Sequence, residues 1–329
     1  MANDKLAGVD LRSVFKFIPA QADGSNIAIT GAWDMPARIG KTYHDWGNVA
    51  NNIEPYVSPD ELFYGGRDID YLVMLQVADE LAALSVCNDF YQLVNGFTAL
   101  VPFETDLGTW NVFVRSEIAV EYFNDGFCKL RIPFREPIVD LTGTLPKPNP
   151  VFQQLLNADG APIHTGAFAP IEIGVINYDG FGIDGVMFRD MNCFVMELAG
   201  NFNRPAPMSG EATSYRFEKY RVTRSGLKQM NLKLFIEAPD YAAFNQTIRS
   251  FNALFSKPGL RYITKENDFL RDFFVKDGFT VNNIRLHNGE VTGILTVQLT
   301  EVNAYTNWSI LTDANNNEIV TELGNIIIT

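Results

Sequence analysis

Two stretches of the chain follow one plan, GGRDIDYLVMLQVADELAALSVCNDFYQLV at 65–94 and SGLKQMNLKLFIEAPDYAAFNQTIRSFNALF at 225–255. In both, apolar residues alternate with polar ones, which predicts a strand with one face in a core. At an offset of 161 residues, Asp79 falls on Asp240, and each precedes apolar residues spaced by three and four. Aspartate is a preferred N-cap because its carboxylate accepts from the free amides of the first turn. Each stretch therefore predicts a strand followed by an amphipathic helix.

The correspondence continues beyond the helices, each of which ends near a glycine, Gly96 and Gly259. Four strand-like segments then follow in each copy: 100–103, 112–115, 118–123 and 129–134 in the first, and 260–264, 273–276, 279–286 and 294–299 in the second. Each set ends on a short motif with glutamate, Phe134-Arg-Glu-Pro137 and Leu299-Thr-Glu-Val302. A tandem duplication explains this order most economically. Two unrelated domains sharing a strand–helix–strand pattern are the alternative.

The predicted fold class is α+β and mostly β, with two tandem units at 1–175 and 176–329. Each unit is expected to be an antiparallel sheet or sandwich packed on one main helix. A length of 329 residues is enough for two domains with sizeable cores.

Other segments complete each predicted unit. Opening strands are predicted at 27–30 and 186–189, and closing hairpins at 155–165 and 311–321. The stretches 36–64 and 200–224 are predicted to be long excursions with little regular structure. Loops of that length are usually functional or ordered by a partner.

Composition indicates a folded globular protein, with 47% hydrophobic and 20% charged residues. The N-terminal stretch lacks the apolar region of a signal peptide, and no apolar run approaches the roughly 20 residues that a membrane helix needs. Cys87, Cys128 and Cys193 each lie in an apolar stretch. They are expected to be buried free thiols of a protein made in a reducing cytoplasm.

The net charge of −13 argues against a nucleic-acid-binding surface, which needs an excess of lysine and arginine. The charge is uneven: residues 1–175 hold 22 acidic and 11 basic residues, a balance of −11, and residues 176–329 hold 17 and 15, a balance of −2. A solvated acidic face explains this simply. A surface that must repel DNA is the more specific interpretation.

Residue patterns predict no catalytic, cofactor-binding or metal site, and no enzymatic activity. His44, His164 and His287 lack metal-ligand spacing, and neither a glycine-rich phosphate loop nor a nucleophile elbow occurs. His44 and Asp45 are adjacent, so on an extended chain they point to opposite faces.

Two acidic loops, 179–184 and 313–318, resemble calcium-binding loops. The second lacks the glycine at position six and the glutamate at position twelve of such a loop. A hairpin turn is favoured there, because the matching stretch 157–160 is a plain turn.

The block formed by a strand, an Asp-capped helix, a glycine turn and a β-meander with a terminal glutamate motif resembles the tube-fold domain of tailed-phage tails. That domain recurs in tail tube proteins, distal tail proteins and baseplate hubs. Residues 67–137 carry the resemblance and residues 230–302 form the second copy, about half of the chain. The hairpins NADGAPI and DANNNEI look like the β-arms that such proteins extend to neighbours. Common distal tail proteins carry one tube domain followed by a different domain, so a duplicated form leaves the place along the tail open.

The resemblance implies a structural, ring-forming component of a virion tail, assembled in the host cytoplasm. Its partners would be further copies of the chain, other tail proteins and passing DNA that is not bound specifically, with no membrane. Tailed-phage tails are broadly built on sixfold rings, and a chain with two ring-forming units lets three chains fill the six positions of such a ring. A trimer with pseudo-sixfold symmetry is therefore expected, with a hexamer as the alternative. Exposed strand edges suit such assembly, and an acidic channel wall would repel DNA.

Two further functions stay open. One is a glycan-binding module of a host-recognition apparatus or a surface adhesin, in which some of the tryptophans Trp33, Trp46, Trp110 and Trp308 would stack on sugars instead of packing in the core. The other is a hydrolase that uses scattered carboxylates such as Glu104, Asp106 and Glu117. Tryptophan-rich clefts on a monomer would favour the adhesin, and a ring with an acidic bore would favour the tail.

Overall fold

The structure is a computed structural model of the 329-residue chain. It describes residues 4–45, 57–123, 126–144, 186–200, 227–265 and 269–301, together with 53–54, 181–183, 203, 207–208, 212–214, 217–219, 224–225 and 308–309. The predicted boundary at 175/176, both closing hairpins and the acidic loop 313–318 lie outside these residues. Of the acidic loop 179–184, the structure describes residues 181–183, of which Gly182–Ile183 form a strand, but neither of its carboxylates.

The first unit contains thirteen strands and two α-helices among the described residues. The strands are β1 (Lys5–Leu6), β2 (Val9–Asp10), β3 (Ile18–Pro19), β4 (Ile29–Thr30), β5 (Arg38–Ile39), β6 (His44–Asp45), β7 (Ile53–Glu54), β8 (Phe63–Tyr64), β9 (Arg67–Gln76), β10 (Val101–Thr105), β11 (Gly108–Val114), β12 (Ala119–Tyr122) and β13 (Phe127–Glu136). The helices are α1 (Leu11–Phe15) and α2 (Glu80–Asn95), and a 3₁₀ helix spans Pro59–Glu61.

The second unit likewise contains thirteen described strands, with one α-helix. The strands are β14 (Gly182–Ile183), β15 (Val186–Met187), β16 (Cys193–Ala199), β17 (Pro207–Met208), β18 (Ala212–Ser214), β19 (Phe217–Lys219), β20 (Arg224–Ser225), β21 (Lys228–Ala238), β22 (Arg261–Lys265), β23 (Phe269–Phe274), β24 (Phe279–His287), β25 (Glu290–Glu301) and β26 (Trp308–Ser309). The helix is α3 (Tyr241–Phe255), and a 3₁₀ helix spans Phe188–Met191.

The two main sheets have the same strand order. The first runs β2-β1-β10-β11-β13-β9-β3, with β12 paired to β13 and β4 paired to β9. The second runs β15-β14-β22-β23-β25-β21-β16, with β24 paired to β25 and β26 paired to β23. Every pairing is antiparallel. The predicted α+β, mostly β fold class is therefore confirmed, whereas common descent of the units stays a prediction.

The long central strands fix a common register. Leu130 of β13 lies opposite Val73 of β9, and Leu295 of β25 lies opposite Leu234 of β21. Val73 and Leu234 are the positions that the offset of 161 residues matches. A residue of the first sheet can therefore be compared with its counterpart in the second through the residue it pairs with.

Each main helix begins as predicted, at an aspartate cap. Asp79 accepts from the amide of Ala82 at 2.9 Å, and Asp240 accepts from the amide of Ala243 at 2.7 Å. Along the central strands β9 and β21, buried residues alternate with partly buried or exposed ones, which places one face of each sheet against its helix. The two units share one hydrophobic cluster that includes Phe90 of α2 and Phe251 of α3.

Three predictions from the sequence need correction. The hairpins β1–β2 and β14–β15 were missed, because strands of two residues are too short to show alternation. The predicted strand 186–189 is a strand only over Val186–Met187, after which the chain turns into the 3₁₀ helix.

The third correction concerns the excursions, which contain regular structure. The ladder β6–β7 is nested within β5–β8, and β18–β19 within β17–β20. Within the described residues, no helix is long and apolar enough to cross a membrane.

Candidate interaction surface

The first unit covers one edge of the second sheet with residues 24–43, hereafter the bridging segment. Its main chain bonds to the outer edge of β24 at both ends: the amide of Met35 donates to the carbonyl of Phe279 at 2.9 Å, and the amide of Asn26 donates to the carbonyl of Ile284 at 3.1 Å. Met35 and Phe279 form an isolated antiparallel bridge. The segment thus takes the place of a further strand beside β24.

Side chains of the bridging segment complete this edge where its main chain departs from it. Asp34 Oδ1 accepts from the amide of Val281 at 2.7 Å, and Ser25 Oγ accepts from the amide of Ile284 at 3.0 Å. The Asn26 side chain both accepts from the amide and donates to the carbonyl of Leu286, at 2.8 and 2.7 Å. Edge groups of a strand that would otherwise pair with another chain are therefore satisfied within this one.

The same segment also seals the end of α3. The Arg38 guanidinium donates to the carbonyl oxygens of Phe255, at 3.1 Å, and Lys257, at 2.9 Å. From the strand that pairs with β5, the Tyr64 hydroxyl donates to the carbonyl of Ser256 at 2.8 Å. These bonds satisfy carbonyls that a helix end leaves without an intrahelical partner.

Asp34 lies in this contact, and its side chain has a raised pKa. Burial raises its pKa to about 6, against the lowering effects of the Val281 amide and of the Arg67 charge. Asp34 therefore changes its charge within the contact between the two units as the pH passes through the weakly acidic range.

The corresponding edge of the first unit, β12, is bare. Val120 of β12 pairs with Leu130 and Val281 of β24 pairs with Leu295, so the two valines hold the same place. Yet Val120 is 40% exposed, whereas Val281 is 1% exposed. No strand in the described part of the chain pairs with the outer side of β12.

An open groove lies beside this bare edge. It has a volume of about 950 Å³ and runs between the end of α2, at Val94 and Asn95, and the stretch that joins β11 to β12, at Arg115–Ile118. Val94 and Asn95 are the counterparts of Phe255 and Ser256, whose carbonyls Tyr64 and Arg38 cover in the second unit. The groove therefore occupies the place that the bridging segment fills in the other unit.

Phe113 at the rim of this groove shows the same contrast. It lies opposite Arg135 of β13, and Phe274 lies opposite Thr300 of β25, which places the two phenylalanines at corresponding positions. Phe113 is 40% exposed. Phe274 is fully buried, with its ring centroid 6.0 Å from that of Tyr43 in the bridging segment.

The far edge of the second sheet, β16, is also open among the described residues. It carries two exposed apolar side chains, Phe194 and Met196. A bulge interrupts the pairing of β16 with β21 between Val195 and Glu197. Beside the two-residue strands β2, β3 and β15 at the other ends of the sheets, the described residues thus leave two longer edge strands uncovered, β12 and β16.

A matched ion pair lies across the central strands of each sheet. In the first unit Arg67 Nε and Glu136 Oε2 are 2.6 Å apart, and in the second Lys228 Nζ and Glu301 Oε2 are 3.4 Å apart. The second pair is more deeply buried, with side chains 4% and 3% exposed against 13% and 11%. The glutamates belong to the terminal motifs singled out in the sequence, but their cationic partners were missed because they lie more than sixty residues away.

The outer face of the first sheet does not concentrate negative charge. Asp68 pairs with Arg115 and Arg135, each at 2.6 Å, and Asp70 pairs with Arg131. Arginines therefore balance both aspartates on this face.

A cleft of about 260 Å³ lies between the units. Its lining includes Trp33 and Trp110, whose ring centroids are 6.0 Å apart in an edge-to-face arrangement. Both rings are buried in the core, so they offer no broad stacking face for a sugar. Trp46 and the side chain of Trp308 lie outside the described residues.

The three carboxylates considered for hydrolysis are not brought together. Glu104 and Asp106 lie at one end of the β10–β11 hairpin, and Glu117 follows the other end of β11. A seven-residue strand spans roughly 20 Å, too far for a shared substrate bond.

The remaining candidate residues are dispersed. His44 begins β6, where it pairs with Glu54, and His287 ends β24, whereas His164 lies outside the described residues. The three cysteines are buried and free, as predicted. The described residues contain no group of three or more metal-ligating side chains.

No protein-family model matches the chain, and no curated protein matches it.

Proposed function

We propose that this protein is a structural, ring-forming component of a tailed-phage tail, a distal tail, hub or tube protein. One observation supports this proposal above the others: two units of the same strand order occur in one chain, joined at one sheet edge and open at the equivalent edge. If each unit covers a sheet edge of the next unit, the same contact repeats from unit to unit. Such a row of units leaves no sheet edge uncovered only if it closes into a ring.

The open edges favour assembly over a monomer. Natural proteins usually protect edge strands with charges, prolines or a covering segment, because a bare edge invites pairing with another chain. The second unit has such a covering segment at β24, whereas β12 presents Val120 and Tyr122 to solvent. An assembly in which another subunit covers β12 accounts for this difference.

The expected assembly is three chains per ring, with six units around a channel. Negative-stain imaging and native mass spectrometry of the purified chain test this directly, and trimers with pseudo-sixfold symmetry are the expected result. Six chains per ring would contradict the trimer and leave the ring intact. A protein that stays monomeric at micromolar concentration would contradict ring formation.

The place in the tail needs a separate experiment. Antibodies raised against the purified chain should label one end or the shaft of tailed particles released from cells that carry the gene. Particles that are complete but unlabelled, and that lack the chain by mass spectrometry, would contradict a virion role.

A further inference from the structure

We infer that β12 and the groove beside it form the docking site for the β16 edge of a second copy of this chain. The inference rests on the proposed ring and specifies its contact. One chain would present β12 and the next would present β16, so that every subunit uses one edge of each kind.

The order of the sheet edges along a single chain is the first observation that supports a contact between β12 and β16. Within the bridging segment, β4 pairs with β9 of the first sheet, and Met35 forms a bridge to Phe279 of β24 in the second sheet. A line of elements therefore runs from β12 through the first sheet, across the bridging segment and through the second sheet to β16. The exposed ends of this line, in the residues that the structure describes, are β12 and β16.

The second step concerns the chemistry of the two ends. At the first end the exposed apolar side chains are Phe113, Val120, Tyr122 and Phe123, and at the second they are Phe194 and Met196. At the corresponding edge in the second unit, Phe274 and Val281 are buried. The Phe274 ring lies beside Tyr43 of the bridging segment, and the amide of Val281 donates to Asp34 of that segment. Apolar residues at matching positions, covered in one unit and bare in the other, identify a surface that another protein segment covers.

A second copy is the occupant that continuity favours. The β12 edge corresponds to the surface that this same chain covers at β24, so the contact between units already seen within the chain would continue between chains. The two surfaces differ from each other, which makes the contact heterologous, and heterologous contacts form rings when the rotation closes. The four residues of β12 can pair along their full length with the seven of β16.

The contact between chains cannot copy the one within the chain in every detail. Gly278 has a positive φ of 70°, and a Cβ there would lie 2.0 Å from the carbonyl oxygen of Met35. Glu117 stands at the corresponding position of the first unit, one residue before Ile118, so a main chain cannot approach equally closely there. A regular strand pairing beyond Glu117, along β12 itself, avoids this obstacle.

Two single substitutions and their mixture test the inference. Val120→Lys places a charge in the β12 edge, and Phe194→Lys places one in the β16 edge. Leu81→Lys, at an exposed apolar position of α2 away from both edges, is the matched control. Sedimentation velocity of the full chain gives the assembly state, and circular dichroism confirms that each variant is folded.

Each edge variant should lose the ring, whereas the control should keep it. Mixing Val120→Lys with Phe194→Lys should yield one-to-one dimers and nothing larger, because only one intact edge of each kind is left in the mixture. A second measurement uses Val120→Cys mixed with Phe194→Cys, which should form a disulfide between chains on oxidation. The three native cysteines are buried, so they should not compete for this disulfide.

The outcomes separate this inference from the proposed ring. Rings that persist in Val120→Lys or Phe194→Lys would overturn the β12–β16 contact and leave ring formation standing. Edge variants that fail to dimerise when mixed, without a disulfide in the cysteine pair, would also overturn it. A wild-type chain that never assembles, or that assembles only with a different tail protein, would overturn both.

Discussion

The edge of β24 and the edge of β12 are the same part of one fold in two surroundings. At β24 the bridging segment supplies hydrogen bonds from Ser25, Asn26 and Asp34, and the apolar residues beneath are buried. At β12, the residue that corresponds to the buried Val281 is Val120, and its side chain is exposed to solvent. The comparison teaches that the fold itself does not protect this edge; a neighbouring unit has to do so.

The helices repeat the contrast. In α3 the buried residues include polar ones: Thr247 donates to the carbonyl of Met191 in its own unit, whereas Asn252 lines the cleft that faces Trp33 of the first unit. In α2 only Ala83, Cys87 and Phe90 are buried, and Leu81 and Leu84 are exposed. The first unit therefore covers surfaces of the second unit, whereas no described part of the chain covers the corresponding surfaces of the first unit.

The largest expected difference between the units lies in their matched ion pairs. Glu301→Gln removes the carboxylate beside the buried Lys228 ammonium and should cost about 3–5 kcal/mol of unfolding free energy. Glu136→Gln should cost less, because Arg67 is more exposed and also donates to the carbonyl of Asp34. Urea unfolding of both variants measures the difference.

A double variant serves as the control for this pair. Replacing both partners, Lys228→Met with Glu301→Leu, should recover most of the loss, since an apolar pair leaves no unpaired buried charge. Equal losses for Glu301→Gln and Glu136→Gln would show that burial does not distinguish the two pairs.

The contact at β24 should depend on pH through Asp34. Its pKa in the folded protein, about 6, is raised above the unfolded value, so the unfavourable charge in the folded state develops as pH rises from about 4 through 6. Asp34→Asn keeps an acceptor for the Val281 amide and cannot ionise. Its stability relative to wild type should therefore rise by up to about 3 kcal/mol between pH 4 and pH 7.

Urea unfolding at several pH values measures this difference, and Asp60→Asn removes an exposed carboxylate of the same unit as the control. If the curves of wild type and Asp34→Asn stay parallel from pH 4 to pH 7, the charge at Asp34 does not affect the contact.

Loss of the seal at the end of α3 should make the second unit resemble the first. Arg38→Leu removes hydrogen bonds to the carbonyls of Phe255 and Lys257, with an expected cost of about 1.5–3 kcal/mol. Hydrogen exchange should speed up at Val281 and Ile284 in β24, while β13 keeps its protection. The exposed Arg131→Leu is the comparison variant, and unchanged exchange in β24 would show that Arg38 does not hold the bridging segment in place.

Much of the repeated core could be predicted from the sequence because its signals are local. Alternation along β9 and β21 and the caps at Asp79 and Asp240 identified the strand and helix of each unit. The following strands were found to within a few residues, since turns separate them. Strand pairs such as β1–β2 were missed because two residues carry no period.

The interaction surface could not be predicted, because it depends on contacts between distant residues. Asn26 and Leu286 lie 260 residues apart, and no local pattern links them. Phe113 and Phe274 are both phenylalanines at matching positions, so their residue type does not reveal which one is covered. The stretch 36–64 was expected to be functional or ordered by a partner; the described part of it contributes Arg38, Tyr43 and Tyr64 to the contact with the second unit.

The smallest expected difference concerns the two helix caps, which have the same geometry in different surroundings. Removal of an N-cap side chain costs about 0.5–2 kcal/mol, but a helix that can fray loses less, because its first turn unfolds instead of keeping unpaired amides. In α2 the first turn carries the exposed Leu81 and Leu84, so fraying costs little. In α3 the first turn carries Tyr241, bonded to Trp33 and to the carbonyl of Leu107, and the buried Phe244, so fraying would expose core and break the contact with the first unit. Asp240→Ala should therefore lower the unfolding free energy by more than Asp79→Ala. Asp79→Ala should instead show faster hydrogen exchange at Ala82 and Ala83 with little change in global stability. Equal global losses with unchanged exchange in both helices would mean that the cover provided by the first unit does not reach the start of α3.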